Sequence, residues 1–200
     1  MSKHLRTYPP ALLQQFIQTA NQEVGRNELA QIINDPSLLG LNALASLNEL
    51  QAAETFAEIQ RRLRVYYGRG ARGILLRIGQ NLWKPVLQKQ GILTRLLAVG
   101  IKIIPTGMRQ KPALDLLARV MRGREGSVSV HSMDLNLLFV DSSSPTTIGL
   151  QETQPVCFVT LGLIRGMLFW ATGKDYDVEE TGCCAMGNDA CEFKVVVSGK

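Results

Sequence analysis

Three of the chain's four cysteines, Cys183, Cys184 and Cys191, fall within the fourteen residues from Glu180 to Phe193. Glu180 stands three residues before the first of them, and the fourth cysteine, Cys157, lies upstream at the start of an apolar run. Thiolates joined by a carboxylate are a donor set that a divalent metal selects, and zinc suits it best. A strand ending at Glu180 and another beginning at Cys191 bring Glu180, Cys183 and Cys191 to one end of a hairpin. Gly182 and Gly187 are expected to supply the unusual backbone angles of such a knuckle. Cys157, at the start of the preceding helix, where the dipole favours a thiolate, is expected to reach the same point. The expected site is therefore Zn²⁺ held by Cys157, Glu180, Cys183 and Cys191. Four protein donors close a tetrahedral site and leave no position for water or substrate, so this zinc is expected to be structural. Any one cysteine alone reads better as a small buried apolar residue; it is the convergence of four ligand-type groups that favours the metal. Cys184 is expected to point away as a packed or free thiol.

Other residues offer less. His131 lies in a strand-like pattern and reads as a core or hydrogen-bonded histidine rather than a catalytic base. His4 sits in the N-terminal stretch. Trp83, Trp170, Phe139 and Phe169 read as core. The run Gly68-Arg-Gly70-Ala-Arg-Gly73 matches neither a dinucleotide fingerprint nor a phosphate loop, because no strand precedes it and no Lys-Ser/Thr pair follows. Its glycines and Gly79 are expected to permit a tight turn and close helix contact. A ligand pocket is expected between the helix 156–172, the sheet and the basic helices, mostly apolar, with Arg72 or Arg77 available to a carboxylate.

The charge is uneven. Residues 1–60 carry a net −3, residues 61–124 a net +14 with Asp115 their one acidic residue, and residues 125–200 a net −6. A basic block of this kind could face nucleic acid, anionic lipid or an acidic ligand. Its arginines and lysines are spread through apolar helices, which favours solvated helix faces, some meeting the acidic C-terminal third; nucleic acid is not expected. No apolar run reaches the ~18 residues of a membrane-spanning helix, and the N-terminus has no apolar signal region. The expected setting is the cytoplasm, where four cysteines point to thiols or metal ligands rather than disulfides.

The elements that must position these groups follow from periodicity. Helices are expected from Pro10, with Leu12, Leu13, Phe16, Ile17 and Ala20 on one face; after Gly25, with Asn27 as a cap; and over 46–67, with Leu47, Leu50, Ala53, Phe56, Ile59 and Leu63 on one stripe. A turn is expected at Asp35-Pro36-Ser37, and further helices over 74–90, 92–104 and 112–122. The pattern then changes. Strands are expected over 127–132 and 135–141, a helix over 155–172 whose Gly162 and Gly166 let it lie close against a sheet, and strands over 176–180 and 190–197. The fold class is α+β: a helical N-terminal half, then a small antiparallel sheet with a packed helix.

Glu180-x-x-Cys183-x-x-x-Gly187-x-x-x-Cys191-x-Phe193 resembles the C-terminal signature of the 4-vinyl reductase, or hydrocarbon-binding, domain family. Gly162-Leu-Ile-Arg-Gly166, Tyr67-Gly68-x-Gly70-Ala-Arg-Gly73 and Ile78-Gly79 resemble glycine-bearing helices of the same domain. The resemblance spans roughly 65–197. It implies a helical extension over 1–66, a ligand-binding domain over 67–200, a fold akin to TRAPP complex subunits, and a homodimer. In aromatic-responsive relatives zinc is held by Cys, Glu, Cys and Cys at a spacing similar to that of Cys157, Glu180, Cys183 and Cys191. Many members carry an extra cysteine pair before the first ligand; here that place reads Ser142-Ser-Ser-Pro145. The function so implied is a sensor or carrier for a small hydrophobic ligand (aromatic, hydrocarbon or tetrapyrrole). One alternative is an accessory protein or 4-vinyl reductase of (bacterio)chlorophyll biosynthesis. The sequence argues against independent catalysis, having no dinucleotide fingerprint, no flavin motif and no open metal position. A second alternative is a protein-interaction scaffold.

Overall fold

A computed structural model describes residues 6–34, 44, 46–122 and 127–197. His4, the turn expected at 35–37 and the link 123–126 lie outside them. The front part is helical: α1 (Pro10–Val24), α2 (Arg26–Ile33), α3 (Glu49–Tyr67), α4 (Ala71–Lys89), α5 (Ile92–Ile103) and α6 (Gln110–Met121). Strands β1 (Val128–Met133) and β2 (Asn136–Asp141), helix α7 (Phe158–Thr172), and strands β3 (Val178–Gly182) and β4 (Cys191–Val196) follow. The strands form one antiparallel sheet in the order β1-β2-β4-β3. This is the expected α+β arrangement, a helical N-terminal part followed by a small four-stranded sheet.

Local chemistry sets the boundaries. Helix α3 starts at Glu49 rather than 46 because Asn48 caps it. Gln51 N–H donates to Asn48 Oδ1 at 2.9 Å and Asn48 N–H to Gln51 Oε1 at 3.0 Å, a reciprocal capping box. Asn27 is not a cap: Gly25, at φ +99°, ends α1 and opens α2, a conformation that glycine alone adopts without strain. Helix α4 begins three residues earlier than periodicity predicts, because Gly68–Gly70 tighten into a 3₁₀ turn running straight into it. Leu50, expected on the buried stripe, is 43% exposed.

Helix α7 is apolar all round, as a central helix must be. Its closest neighbour is α4, and the contact is backbone on backbone. A Cβ on Gly79 would sit 2.2 Å from Val159 O, one on Gly162 2.3 Å from Leu76 O, and one on Gly166 2.2 Å from Gln80 O. Gly162 and Gly166 therefore serve a helix–helix contact rather than the helix–sheet contact expected from the sequence. One hydrophobic core runs from Tyr8 to Val195, joining front helices and sheet. Tyr8 stacks on Phe56 at 4.1 Å and Phe139 meets Phe193 edge-on across β2 and β4 at 6.2 Å. No described helix is long and apolar enough to cross a membrane.

Candidate metal centre and ligand cleft

Strand periodicity aims the donors. In β3 the residues Val178, Glu180 and Gly182 point inward, and in β4 Cys191, Phe193 and Val195 do so. Glu180 pairs with Phe193, and a register shift follows between Glu180 and Gly182. The link between the strands holds a 3₁₀ turn, Cys184–Met186, closed by Gly187 at φ +93°. Gly187 meets the expectation of an unusual angle; Gly182 does not, being part of the strand with no positive φ. Cys157 is the N-cap residue of α7.

These elements bring Cys157, Glu180, Cys183 and Cys191 together, all buried, with one ligand-type atom of each within 4.8 Å of the others. Cys157 Sγ lies 3.4 Å from Cys191 Sγ and 3.9 Å from Cys183 Sγ, and all four cysteines are free thiols. Two sulfurs bound at ~2.3 Å to one tetrahedral zinc stand about 3.8 Å apart, so the observed spacings bracket that edge. Glu180 Oε2 accepts from Cys157 N–H at 2.9 Å, whereas its Oε1 is buried without a partner. An orphaned carboxylate oxygen facing three thiols fits a bound cation.

Four acidic groups this close compete for charge. Hydrogen bonding to Cys183 and burial hold the Cys157 thiol well above its ordinary range. Hydrogen bonds to Cys157, Cys183 and Cys184 hold Cys191 up. Cys183 is pulled down by hydrogen bonds from Cys157 and Cys191. Burial raises the Glu180 carboxyl to about 8. A divalent cation relieves this frustration by stabilising every anion at once.

The surroundings are polar in the right sense. Cys184, half-buried, keeps its side chain out of the four-donor set, but its backbone N–H donates to Cys191 Sγ at 3.4 Å. Cys183 N–H donates to Asn188 Oδ1 at 3.2 Å. Ser144 Oγ lies 3.7 Å from Cys157 Sγ, in the stretch where the resemblance expects further cysteines. That stretch is anchored to the front part by Arg6, which donates to Ser144 O at 2.9 Å and to Thr147 Oγ1. Sequence reasoning missed Asn188, Ser144 and Arg6.

A cleft of about 370 Å³ opens between α4 and α7, lined by Trp83, Lys84, Arg165, Phe169, Trp170 and Asp175 among others. It is lined by helices rather than by the sheet, and by charged as well as aromatic groups, unlike the apolar pocket expected. Trp83 is 1% exposed and its Nε1 has no hydrogen-bond partner; Arg165 Nε is likewise buried and unpaired. Trp83 meets Trp170 edge-on at 5.7 Å, and Lys102 Nζ stands 4.5 Å over the Trp170 ring. Phe169, expected in the core, is 54% exposed. The sequence signal was available: Arg165 is the one charged residue of α7. Arg77 instead pairs with Glu23 at 3.4 Å, and Arg72 stands 5.7 Å over the Phe158 ring. His131, exposed on β1, has Nε2 2.8 Å from Ser129 Oγ.

Residues 141–197 match the 4-vinyl reductase domain family. The chain is also 34% identical over 73 residues to the uncharacterized protein MJ0745 of Methanocaldococcus jannaschii, a match covering 32% of this chain and 40% of that protein. The fold is similar to that of an iron(II), unliganded H-NOX protein from K. algicida, with TM-score 0.59 and 11% identity over 96% of this chain and 97% of the other. It is similar to the SO2144 H-NOX domain from Shewanella oneidensis, with TM-score 0.56 and 10% identity over 95% and 98%. It is similar as well to the phenol-responsive sensory domain of the transcription activator PoxR, with TM-score 0.52 and 15% identity over 72% and 73%.

Proposed function

We propose that the chain is a small-ligand-binding sensor module in which a structural zinc ion clasps the C-terminal sheet to α7. The observation that carries this reading is the double role of that one helix. Its N-cap, Cys157, belongs to the four-donor cluster, and its C-terminal half walls the aromatic cleft. Cys157, Glu180, Cys183 and Cys191 would hold the ion; bound there, zinc supplies cross-linking rather than reaction chemistry, because no coordination position stays open. The ligand is a small aromatic molecule with an acceptor oxygen. It stacks on Phe169 and Trp170 while Trp83 Nε1–H and Arg165 Nε–H, otherwise orphaned, donate to it. The likeness to a phenol-responsive domain supports that ligand class. The iron in the name of the H-NOX neighbour is not carried over: His131, the one histidine among the described residues, is exposed on β1 and does not suit a buried iron. In this reading residues 67–200 form the ligand-binding domain and 1–66 its helical extension. The TRAPP-like kinship, the homodimer and the cytoplasmic setting belong to the same proposal.

Two measurements test it separately. Protein purified without chelator under reducing conditions should carry close to one zinc per chain; less than a fifth of an equivalent removes the metal from the account. Titration with phenol and with benzoate should quench tryptophan fluorescence saturably in the wild type and weakly in Arg165→Met. If neither compound changes the fluorescence or the melting temperature, the cleft is not the ligand site.

A further inference from the structure

Helix α5 turns outward the residues that a helix normally hides. Ile92, Leu93, Leu96, Leu97, Val99 and Ile103 are all exposed, from 41% at Leu97 to 80% at Ile103, while Ala98 and Ile101 are its buried residues. At 100° per residue the six exposed side chains form one continuous arc opposite Ala98 and Ile101. Met108, just beyond the helix, is 67% exposed. Single surface leucines need no explanation; an entire apolar helix face does.

The charge around this face decides what covers it. From Lys84 to Lys111 the chain carries Lys84, Lys89, Arg95, Lys102, Arg109 and Lys111 and no carboxylate. Asp115, the next acidic residue, is taken by Lys111 at 2.8 Å. Among the described residues, no ion pair involves Lys84, Lys89, Arg95, Lys102 or Arg109. Lys102 donates to Trp170 O, and Arg109 donates to the carbonyls of Ile104, Ala171 and Lys102, so these cations are held in place without being neutralised. Arg95 and Lys102 flank the apolar arc on one side. A second copy of the chain seated here would set one uncompensated cationic rim against another. An anionic bilayer surface meets both demands, taking the aliphatic side chains at its acyl boundary and the cations at its phosphates.

We infer that α5 is an interfacial docking helix that seats the protein flat on an anionic membrane surface. The inference uses neither the metal cluster nor the cleft, and stands or falls apart from them.

Full-length protein is sedimented with vesicles of phosphatidylcholine alone and with vesicles in which a third of the lipid is phosphatidylglycerol. Wild type should pellet with the anionic vesicles, far less with the neutral ones, and progressively less as salt rises. The double variant Leu93→Asp/Leu96→Asp alters exposed positions only and should keep the wild-type circular dichroism and melting temperature. Its partitioning onto anionic vesicles should fall roughly tenfold or more. Arg95→Glu, which keeps the apolar face, should weaken binding and flatten the salt dependence. Equal pelleting of wild type and double variant overturns the inference, as does failure of wild type to pellet. So does a wild-type dimer in lipid-free solution that the double variant converts to monomer, for then the face is an interface between copies.

Discussion

The α4–α7 contact makes the sharpest prediction. In Gly162→Ala the new methyl would lie 2.3 Å from Leu76 O, 3.0 Å from Gln80 N and 3.1 Å from Gly79 Cα, where ordinary contact begins at 3.4 Å. All three neighbours are backbone, so no rotamer change relieves the overlap and the helices must part by about 1 Å. Overpacking of this kind costs about 1–3 kcal/mol, here at the upper end. Alanine's better helix propensity returns about 1 kcal/mol, leaving a net loss of about 2 kcal/mol. Gly100→Ala supplies the control. Nothing lies within 4 Å of a Cβ there, so propensity acts alone and the variant should gain up to about 1 kcal/mol. Urea unfolding of wild type and both variants, with m-values compared, reads both signs. Because Gly79 faces Gly162, Gly79→Ala combined with Gly162→Ala should cost less than the sum of the two. A Gly162→Ala protein as stable as wild type would refute the backbone-on-backbone reading.

Zinc uptake should depend on pH, because the Glu180 carboxyl, raised to about 8 by burial, and the thiols must lose protons to the metal. Affinity measured by competition with a chelator should fall steadily from pH 8 to pH 6; a flat profile would contradict the four-donor site. Cys183→Ser should lose the zinc whereas Cys184→Ser keeps it, as metal analysis of the two proteins would show. Asp141, 2% exposed, has its carboxyl raised from 3.8 to about 6, chiefly by burial. Its folded pKa exceeds its unfolded one, so its contribution is fully present below pH 3.8 and is lost as pH rises through about 6. At 1.36 kcal/mol per unit that loss is about 3 kcal/mol, and Asp141→Asn should remove this part of the pH dependence in unfolding titrations.

Much of this was legible in the residues. The change of period after residue 127 marks the shift from helix to sheet, and the ligand-type residues at 157, 180, 183 and 191 do meet, because strand alternation and a helix start are local rules. What stayed hidden depends on partners distant in sequence. Gly162 and Gly166 announce close approach but not to what; the answer, α4, is some eighty residues away. The outward α5 face has an ordinary amphipathic pattern, and only the finished packing reveals that its larger apolar arc was left out of the core. Phe169 and Leu50 miss burial for the same reason, since hydrophobicity says that a side chain can be buried and not that a wall exists to bury it. Arg165 was overlooked for Arg72 and Arg77, which lie nearer the glycine-rich turn but are engaged elsewhere.

The bare contact between α4 and α7 has a mechanical consequence. Side chains meshed between helices act as springs, absorbing small displacements by changing rotamer. Two backbones touching at Gly79, Gly162 and Gly166 have no such compliance. Along its axis α7 can slide on α4, but it cannot be pressed nearer. A wedge driven into the cleft beside Arg165 therefore moves α7 as a stiff rod, and the far end of that rod is Cys157.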